Sequence, residues 1–183
     1  NTIIEKEINE LKKYCKKIYI INTNITTILY NLINSFIHKE PLQVGYFYSK
    51  KNHETIRSII KDIKPDWVFS QLIRTSKYLA DEENNIIDYM DAMSKGIERR
   101  IVNFPKIIQP LIKYEFYITK KYENYIFNKF KKHTIITKND QKYISHINNK
   151  DIHIIPNGVD TRYFKPNNEI EKKYDIVFVG NMN

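Results

Sequence analysis

Several polar side chains stand where an α/β protein binds its ligand, just after runs that predict strands. Among them are Gln71, Arg74, Asp88, Asp91, Ser94, Thr137, Asn157, Gly180 and Asn181. Ligands of an open parallel sheet bind beyond the carboxyl ends of its strands, so these residues predict a polar rim there. Asp88 and Asp91 are three residues apart and could bind a sugar hydroxyl or exchange a proton. Asp91 could alternatively cap the following helix.

The scarcity of glycine and cysteine excludes several kinds of site. The four glycines, at positions 45, 96, 158 and 180, cannot form the G-x-G-x-x-G or G-x-x-x-x-G-K-[ST] loops that bind dinucleotides and nucleoside triphosphates. The sequence has no G-x-S-x-G elbow. Cys15 is the only cysteine and the five histidines are scattered, so we expect neither a disulfide nor a metal site. We also expect no cofactor.

Alternating helical and strand-like runs predict an α/β fold. The predicted strands are residues 16–22, 42–49, 67–69, 84–91, 133–137 and 151–156, and predicted helices lie between them. Parallel strands need crossover connections, which helices supply. We therefore predict a mostly parallel sheet with helices on both faces. We expect Asn139 or Asp140 to cap the helix predicted over residues 139–147.

A positive charge is the main compositional feature. Lys and Arg number 30 against 21 Asp and Glu, which gives a formal net charge of +9. A compositional bias toward Lys, Asn and Ile explains this charge without a partner, and an anionic membrane is the alternative. The lysines that could contact such a membrane are Lys12, Lys13, Lys16, Lys17, Lys129, Lys131 and Lys132. Nucleic acid is disfavoured because the aromatic residues follow core periodicity.

Residues 154–166, IIPNGVDTRYFKP, mark a boundary between two structural units. Pro156 stops the preceding strand, and Asn157-Gly158 is a strong turn pair. We expect Asp160 to cap the short turn TRYF. The apolar run DIVFVG at residues 175–180 then predicts a strand of a second unit. We predict an N-terminal domain at residues 1–156, a linker at 157–173 and the first strand of a second domain at 174–183.

These residues carry a resemblance that covers nearly the whole chain. The passage IIPNGVDTRYFKP followed by DIVFVGNM resembles the interdomain passage of GT-B glycosyltransferases of the family 4 (group 1) type. Upstream, HKEPLQVGYFYS, IKPDWVFSQ, YLADEENNIIDYMDAMS and KYENYIFNKFKKHTIITKND resemble the N-terminal domain of bacterial members that assemble exopolysaccharide and lipopolysaccharide. Tyr122, Glu123 and Phe130 match the family's pattern. Lys131 stands in place of an Asp, and Thr137-Lys138 in place of a Ser-Glu.

The resemblance implies a Rossmann-like acceptor-side domain whose first strand precedes residue 1. It also implies retaining transfer of a hexose from a nucleotide sugar to a glycan or lipid-linked acceptor, without an obligatory metal. The implied roles are catalysis for Asp88 and Asp91, acceptor binding for Gln71, Arg74 and Ser94, and donor binding for Gly180 and Asn181.

The implied location is the cytoplasm, at the inner face of the plasma membrane. A single cysteine fits that compartment, and no apolar run approaches the roughly 20 residues of a membrane span. Exposed sheet edges would let copies of the chain self-associate. The alternative is a non-catalytic basic α/β module that docks on an anionic membrane or serves as a scaffold.

Overall fold

A computed structural model describes residues 2–165 and Ile176 of the chain. Four helices come first: α1 (Thr2–Leu11), α2 (Ile25–Ile37), α3 (Leu42–Phe47) and α4 (Lys50–Ile63). The strands are β1 (Val68–Gln71), β2 (Asn85–Asp88), β3 (Lys132–Ile135) and β4 (His153–Ile154). Helices α5 (Met93–Arg100) and α6 (Gln109–Phe127) lie between β2 and β3, and α7 (Lys138–Gln141) lies between β3 and β4. Short 3₁₀ helices span Ile73–Tyr78, Ile101–Asn103 and Asn149–Asp151.

The four strands form one parallel sheet in the order β1-β2-β3-β4. Gln71 pairs with Asp88, and Asp88 pairs with Thr134, so the carboxyl ends of the first three strands meet along one edge. The predicted α/β class with a Rossmann-like parallel sheet is therefore confirmed.

Apolar side chains of the strands, of α6 and of the segments that connect these elements form the core. Its buried members are Ile73, Ile87, Tyr89, Ala92, Ile126, Phe127, Phe130, Ile135, Ile144 and Ile152. Helix α6 begins at Gln109 with Pro110 in its first turn, where a missing backbone N–H costs nothing. The core thus fixes the sheet edge on which the polar rim stands.

Two predicted strands are wrong. Residues 42–49 contain helix α3, which begins after Pro41 and satisfies its own backbone hydrogen bonds. Gly45 permits this helix to approach α2, because a Cβ at Gly45 would lie 2.0 Å from Ser35 Oγ. Residues 16–22 form no strand, since no strand of the described sheet lies beside them to complete their backbone hydrogen bonds.

The turns and caps differ in part from the prediction. Thr137, rather than Asn139 or Asp140, caps α7, because its Oγ1 accepts a hydrogen bond from Asp140 N at 3.0 Å. Helix α7 ends at Gln141, short of the predicted residue 147. Gly158 has no positive φ and forms no turn with Asn157. The cap at Asp160 is confirmed, since its Oδ1 accepts from Arg162 N at 2.9 Å and Tyr163 N at 3.3 Å.

The predicted second-domain strand at residues 174–183 lies outside the described residues, apart from Ile176. The domain boundaries at 156 and 173 stay predictions. Strands β1 and β4 form the two edges of the described sheet, and Phe69 on β1 is 56% exposed. Self-association through these edges stays a prediction. Within residues 2–165, no helix has both the length and the apolar character needed to cross a membrane.

Candidate functional site

A cleft of about 360 Å³ opens at the carboxyl ends of β1 and β2. Its walls come from the segments that follow these two strands, from α5 and from α3. The lining residues are Gln43, Leu72, Arg74, Met90, Asp91, Met93, Gly96 and Arg100. This is the position at which open parallel sheets bind ligands, and we call it the strand-end cleft.

Two residues of the strand-end cleft have a strained backbone. Leu72 has φ 68° and Met90 has φ 57°. These positive backbone angles are rarely adopted by residues other than glycine. Hydrogen bonds hold both in place: Leu72 N donates to Asp88 O at 2.8 Å, and Asp91 N donates to Tyr89 O at 2.7 Å across Met90. Such strain costs about 1–3 kcal/mol per residue and is concentrated at functional sites.

Asp88 and Gln71 support the Met90 turn and do not line the cleft. Asp88 Oδ1 accepts hydrogen bonds from Met90 N at 3.3 Å and from Thr134 Oγ1 at 2.8 Å. The Gln71 amide nitrogen lies 3.3 Å from Met90 Sδ. Both side chains therefore fix the segment that carries Asp91, and their predicted catalytic and acceptor-binding roles stay predictions.

Ser94 does not line the strand-end cleft and is 2% exposed. Its backbone N donates to Glu123 Oε1 at 3.0 Å, and its hydroxyl donates to Glu123 Oε2 at 2.5 Å. Burial raises the pKa of Glu123 to about 7, although the hydrogen bonds from Ser94 favour the charged form. Ala92 offers no side-chain acceptor at the start of α5, so Glu123 of α6 takes the place of a cap. The Ser94 hydroxyl therefore already has a hydrogen-bond partner within the protein.

The charges of the strand-end cleft are two guanidinium groups and one carboxylate. Arg74 and Arg100 form no ion pair with any described residue. Arg74 stacks over Phe47 with its Cζ 5.0 Å from the ring centroid, and Arg100 Nε donates to Gly96 O at 3.1 Å. Partial desolvation and nearby Asp140 raise the pKa of Asp91, whereas Arg100 and Arg74 oppose the rise. The arrangement suits a ligand that carries an anionic group and hydroxyls.

A second hollow of about 250 Å³ adjoins the strand-end cleft. It is lined by Leu42, Gln43, Ile97, Arg100, Phe104, Ile112 and Glu115. Gln43 and Arg100 line both hollows, so the two meet at these side chains. We call the second hollow the apolar annex, because aliphatic and aromatic side chains form most of its wall.

Of the predicted site residues, the strand-end cleft brings together Arg74 and Asp91. Sequence reasoning missed Gln43, because its segment is helical and not a strand, and missed Arg100, because basic residues at a helix end are common without any ligand. Leu72 and Met90 carry no sequence signal for positive φ. An isolated Arg-Arg pair on a helix that follows a strand end could have indicated Arg100.

The predicted donor-binding residues Gly180 and Asn181 lie outside the described residues. In the part of the chain that the structure describes, no cluster of three His, Cys, Asp or Glu side chains could hold a metal ion.

No protein-family model, curated protein or solved structure matches this chain. The resemblance to GT-B glycosyltransferases therefore stays a prediction. The case for a function rests on the geometry of the strand-end cleft.

Proposed function

We propose that this chain is the acceptor-side domain of a retaining glycosyltransferase, which moves a hexose from a nucleotide sugar to a glycan or lipid-linked acceptor. The observation that carries the proposal is the strand-end cleft, where Arg74, Asp91 and Arg100 converge beside two strained residues. Strain is maintained where a site must hold a geometry that local preferences oppose. The family resemblance of the sequence adds to this support.

The proposed reaction breaks the bond between the anomeric carbon and the nucleotide phosphate and forms a bond from that carbon to the acceptor hydroxyl oxygen. The hydroxyl proton passes to the departing phosphate, and the nucleotide is released. Negative charge develops on the leaving phosphate, so fixed cations near it stabilise the transition state. These cations are expected from the donor-side domain, whereas Arg74 and Arg100 line the acceptor side of the cleft and suit an anionic group of the acceptor. Asp91 would orient the acceptor hydroxyl, Asp88 would hold the Met90 turn, and Gly180 and Asn181 would face the donor. The proposal requires neither a metal nor a cofactor.

A nucleotide-release assay tests the proposal. The full-length gene product is supplied with UDP-, GDP- and ADP-sugars, with and without a membrane extract as acceptor source, because the acceptor-side domain by itself is expected to be inactive. We expect release from one donor, rising with the extract. Asp91→Asn should lower turnover by about 100-fold or more, in the range of acid–base groups. Asp81→Asn, at an exposed carboxylate in the loop before β2, is the matched control. Folded protein that releases no nucleotide, or equal loss in both variants, would overturn the proposal.

A second candidate function, docking on an anionic membrane, is favoured by α2. One face of this helix exposes the large apolar side chains of Ile25, Leu29, Ile33, Phe36 and Ile37. Apolar helical faces bind lipid surfaces, and the net charge of +9 favours an anionic one, although α2 itself carries no Lys or Arg. A location in the cytoplasm, at the inner face of the plasma membrane, belongs to this proposal. It is compatible with an enzyme whose acceptor is carried on a lipid.

Vesicle co-sedimentation separates the membrane candidate from the enzyme. We expect the chain to bind vesicles that contain anionic lipid and to be released by raised salt, because exposed charges are then screened. Ile33→Gln should weaken this binding, whereas Ile63→Gln, an exposed isoleucine at the end of α4, should not. Equal binding to neutral vesicles would argue against an electrostatic role for the lysines.

A further inference from the structure

We infer that the exposed face of α6 binds single-stranded nucleic acid, with phosphates at its lysines and bases stacked on its tyrosines. The residues are Lys113, Tyr117, Lys121, Tyr125 and Lys129, which we call the lysine–tyrosine stripe. Residues four apart lie on the same side of a helix, so lysine and tyrosine alternate along one line of α6 and reach the turn after it. The stripe residues do not line the strand-end cleft, and this inference does not rest on the proposed function.

The two tyrosines of the stripe lie largely outside the core. Tyr117 is 53% exposed and Tyr125 is 54% exposed, whereas Tyr122 of the same helix packs against the core cluster. A lysine lies over each exposed ring: Lys121 Nζ is 4.4 Å from the Tyr117 centroid, and Lys129 Nζ is 5.5 Å from the Tyr125 centroid. Core periodicity therefore explains Tyr122 but not Tyr117 or Tyr125, and each of these two rings stands beside a cation.

The exposed part of α6 carries no acidic side chain. Its exposed residues are Pro110, Leu111, Lys113, Tyr117, Lys121 and Tyr125. The two carboxylates of the helix serve other contacts, since Glu115 accepts a hydrogen bond from Leu42 N and Glu123 accepts one from Ser94 N. Among the described residues, the lysines of the stripe form no ion pair. An anionic ligand therefore meets these cations without a competing carboxylate.

A hollow of about 250 Å³ lies beside the stripe. It is lined by Phe116, Tyr117, Lys120, Lys121, Asn124 and Ser145. The lining thus combines two aromatic rings, two ammonium groups, an amide and a hydroxyl. Aromatic rings stack on bases, amides and hydroxyls bond to base edges, and ammonium groups bind phosphate. A single unpaired base therefore has a place to insert next to the stripe.

The composition of the stripe favours nucleic acid over other anionic partners. Protein interfaces are enriched in Arg and depleted in Lys, and the cations of the stripe are lysines. A helix that lies on a membrane needs an apolar face, and that face belongs to α2. Nucleic acid supplies both phosphates and flat rings. Lys113 and Tyr125 are about 18 Å apart along the helix axis, which is the length of about five stacked nucleotides.

Fluorescence anisotropy with a labelled oligothymidylate of about 12 nucleotides tests the inference, over a range of salt concentrations. The comparison ligand is an abasic oligonucleotide of the same length, which has the same phosphates but no bases. We expect the oligothymidylate to bind at least tenfold more tightly, because each base that stacks on an aromatic ring strengthens binding by about fivefold or more.

Tyrosine variants test the stacking. Tyr117→Ala should weaken oligothymidylate binding by about fivefold or more and leave its salt dependence unchanged, because no charge is removed. Tyr117→Phe keeps the ring and should keep the affinity. Tyr30→Ala is the matched control, at a tyrosine of α2 that is 69% exposed, and should have no effect.

Lysine variants test the phosphate contacts. Lys121→Gln should weaken binding and reduce the slope of log affinity against log salt concentration by about 0.7, the value for one lost contact to a single strand. Lys61→Gln, at an exposed lysine in the last turn of α4, should leave the slope unchanged. Circular dichroism checks that each variant is folded.

Three results would overturn the inference. Equal affinity for the abasic oligonucleotide would show that the tyrosines stack on no base. Equal losses for Lys121→Gln and Lys61→Gln would mean that the net charge of +9 holds the oligonucleotide without a defined site. Anionic vesicles that bind and are released by Lys121→Gln, with no oligothymidylate binding at low salt, would assign the stripe to a lipid surface.

Discussion

The sheet region (residues 68–155) and the helical region (residues 2–63) bury apolar side chains to different extents. Every member of the core cluster lies at or after Ile73. Among residues 7–63, the buried apolar side chains are Pro41 and Val44, and α2 exposes a face of large apolar residues. The sheet region therefore has its own hydrophobic core, whereas the described side chains of the helical region do not form one.

Polar contacts and aromatic pairs join the two regions, and the rings of Tyr48 and Tyr78 lie 5.4 Å apart between centroids. Tyr78 of the sheet region donates its hydroxyl to Phe47 O at 2.7 Å and accepts from Ser49 N at 2.9 Å. Glu115 accepts from Leu42 N, and Lys77 Nζ lies 2.8 Å from a Glu40 oxygen. The sheet region therefore supplies most of the stability through its buried core. Directed hydrogen bonds between the regions place α3, and with it Gln43, on the cleft wall.

Truncation of an isoleucine in each region should give the largest contrast. Ile87→Ala removes a side chain of β2 that is fully buried, and we expect a loss of about 3–4 kcal/mol in the free energy of unfolding. Ile33→Ala, on the exposed face of α2, should change it by about 0.5 kcal/mol or less. Urea unfolding measures both. Similar losses would mean that α2 is packed in solution.

Two carboxylates of α6 should differ in how they make stability depend on pH. Glu123 caps α5 in the sheet region, and Glu115 caps α3 in the helical region. The pKa of Glu123 rises from 4.5 unfolded to about 7 folded, so the folded state binds the extra proton between these values. Its contribution to stability is present below about pH 4.5 and is lost as pH rises to about 7, by up to about 3 kcal/mol.

Glu123→Gln should remove this loss, and the variant is compared with the unaltered protein by urea unfolding at pH 5 and pH 8. Burial also raises the pKa of Glu115, but this side chain is partly exposed, so Glu115→Gln should change the dependence less. A larger effect at Glu115 would reverse the proposed difference between the regions.

Alanine at two helical glycines should have opposite effects. At Gly45 a Cβ would lie 2.0 Å from Ser35 Oγ and 3.0 Å from Asn31 O, so Gly45→Ala should cost about 2 kcal/mol by overpacking the α2–α3 contact. At Gly96 the nearest atom, Arg100 Nη2, is 3.9 Å away. Gly96→Ala should therefore stabilise α5 by about 0.5–1 kcal/mol. Thermal unfolding distinguishes the two, and a neutral Gly45→Ala would show that α2 and α3 separate easily.

The smallest effect concerns backbone strain at Leu72. Leu72→Gly and Leu72→Ala both remove the side chain, but only glycine accepts φ 68° without strain. The glycine variant should therefore be the more stable of the two by about 1 kcal/mol, the reverse of the usual order. Denaturant unfolding of the pair measures the difference. An alanine variant that is equally stable would mean that the segment relaxes.

The sheet was predictable because its strands follow local preferences. Ile86, Ile87 and Ile135 are β-branched residues in short apolar runs, and each lies in a strand as expected. A strand also needs a neighbouring strand that completes its backbone hydrogen bonds, and the sequence prediction was wrong where that neighbour is absent. Residues 16–22 have the residue types of a strand but no strand beside them in the described sheet. A single sequence does not reveal whether a partner strand is in place.

The candidate site was predictable only in part. Arg74 and Asp91 were found because they follow strands, whereas Gln43 and Arg100 reach the cleft from helices through tertiary packing. Leu72 and Met90 adopt a conformation that their residue types disfavour, so local preferences predict the opposite. Ser94 follows the same pattern as Asp91 but does not line the cleft, and its hydroxyl donates to Glu123 of a helix distant in sequence.

The order β1-β2-β3-β4 lets the sheet assemble while the chain is still being synthesised. Within the described sheet, each strand leaves the ribosome after its earlier neighbour, so it can join an existing edge and does not have to insert between two paired strands. Residues 89–131 separate β2 from β3, and at about 5–20 residues per second their synthesis takes about 2–9 s. During that interval the outer edge of β2 is open on the nascent chain, and a chaperone that covers it would prevent pairing with another chain.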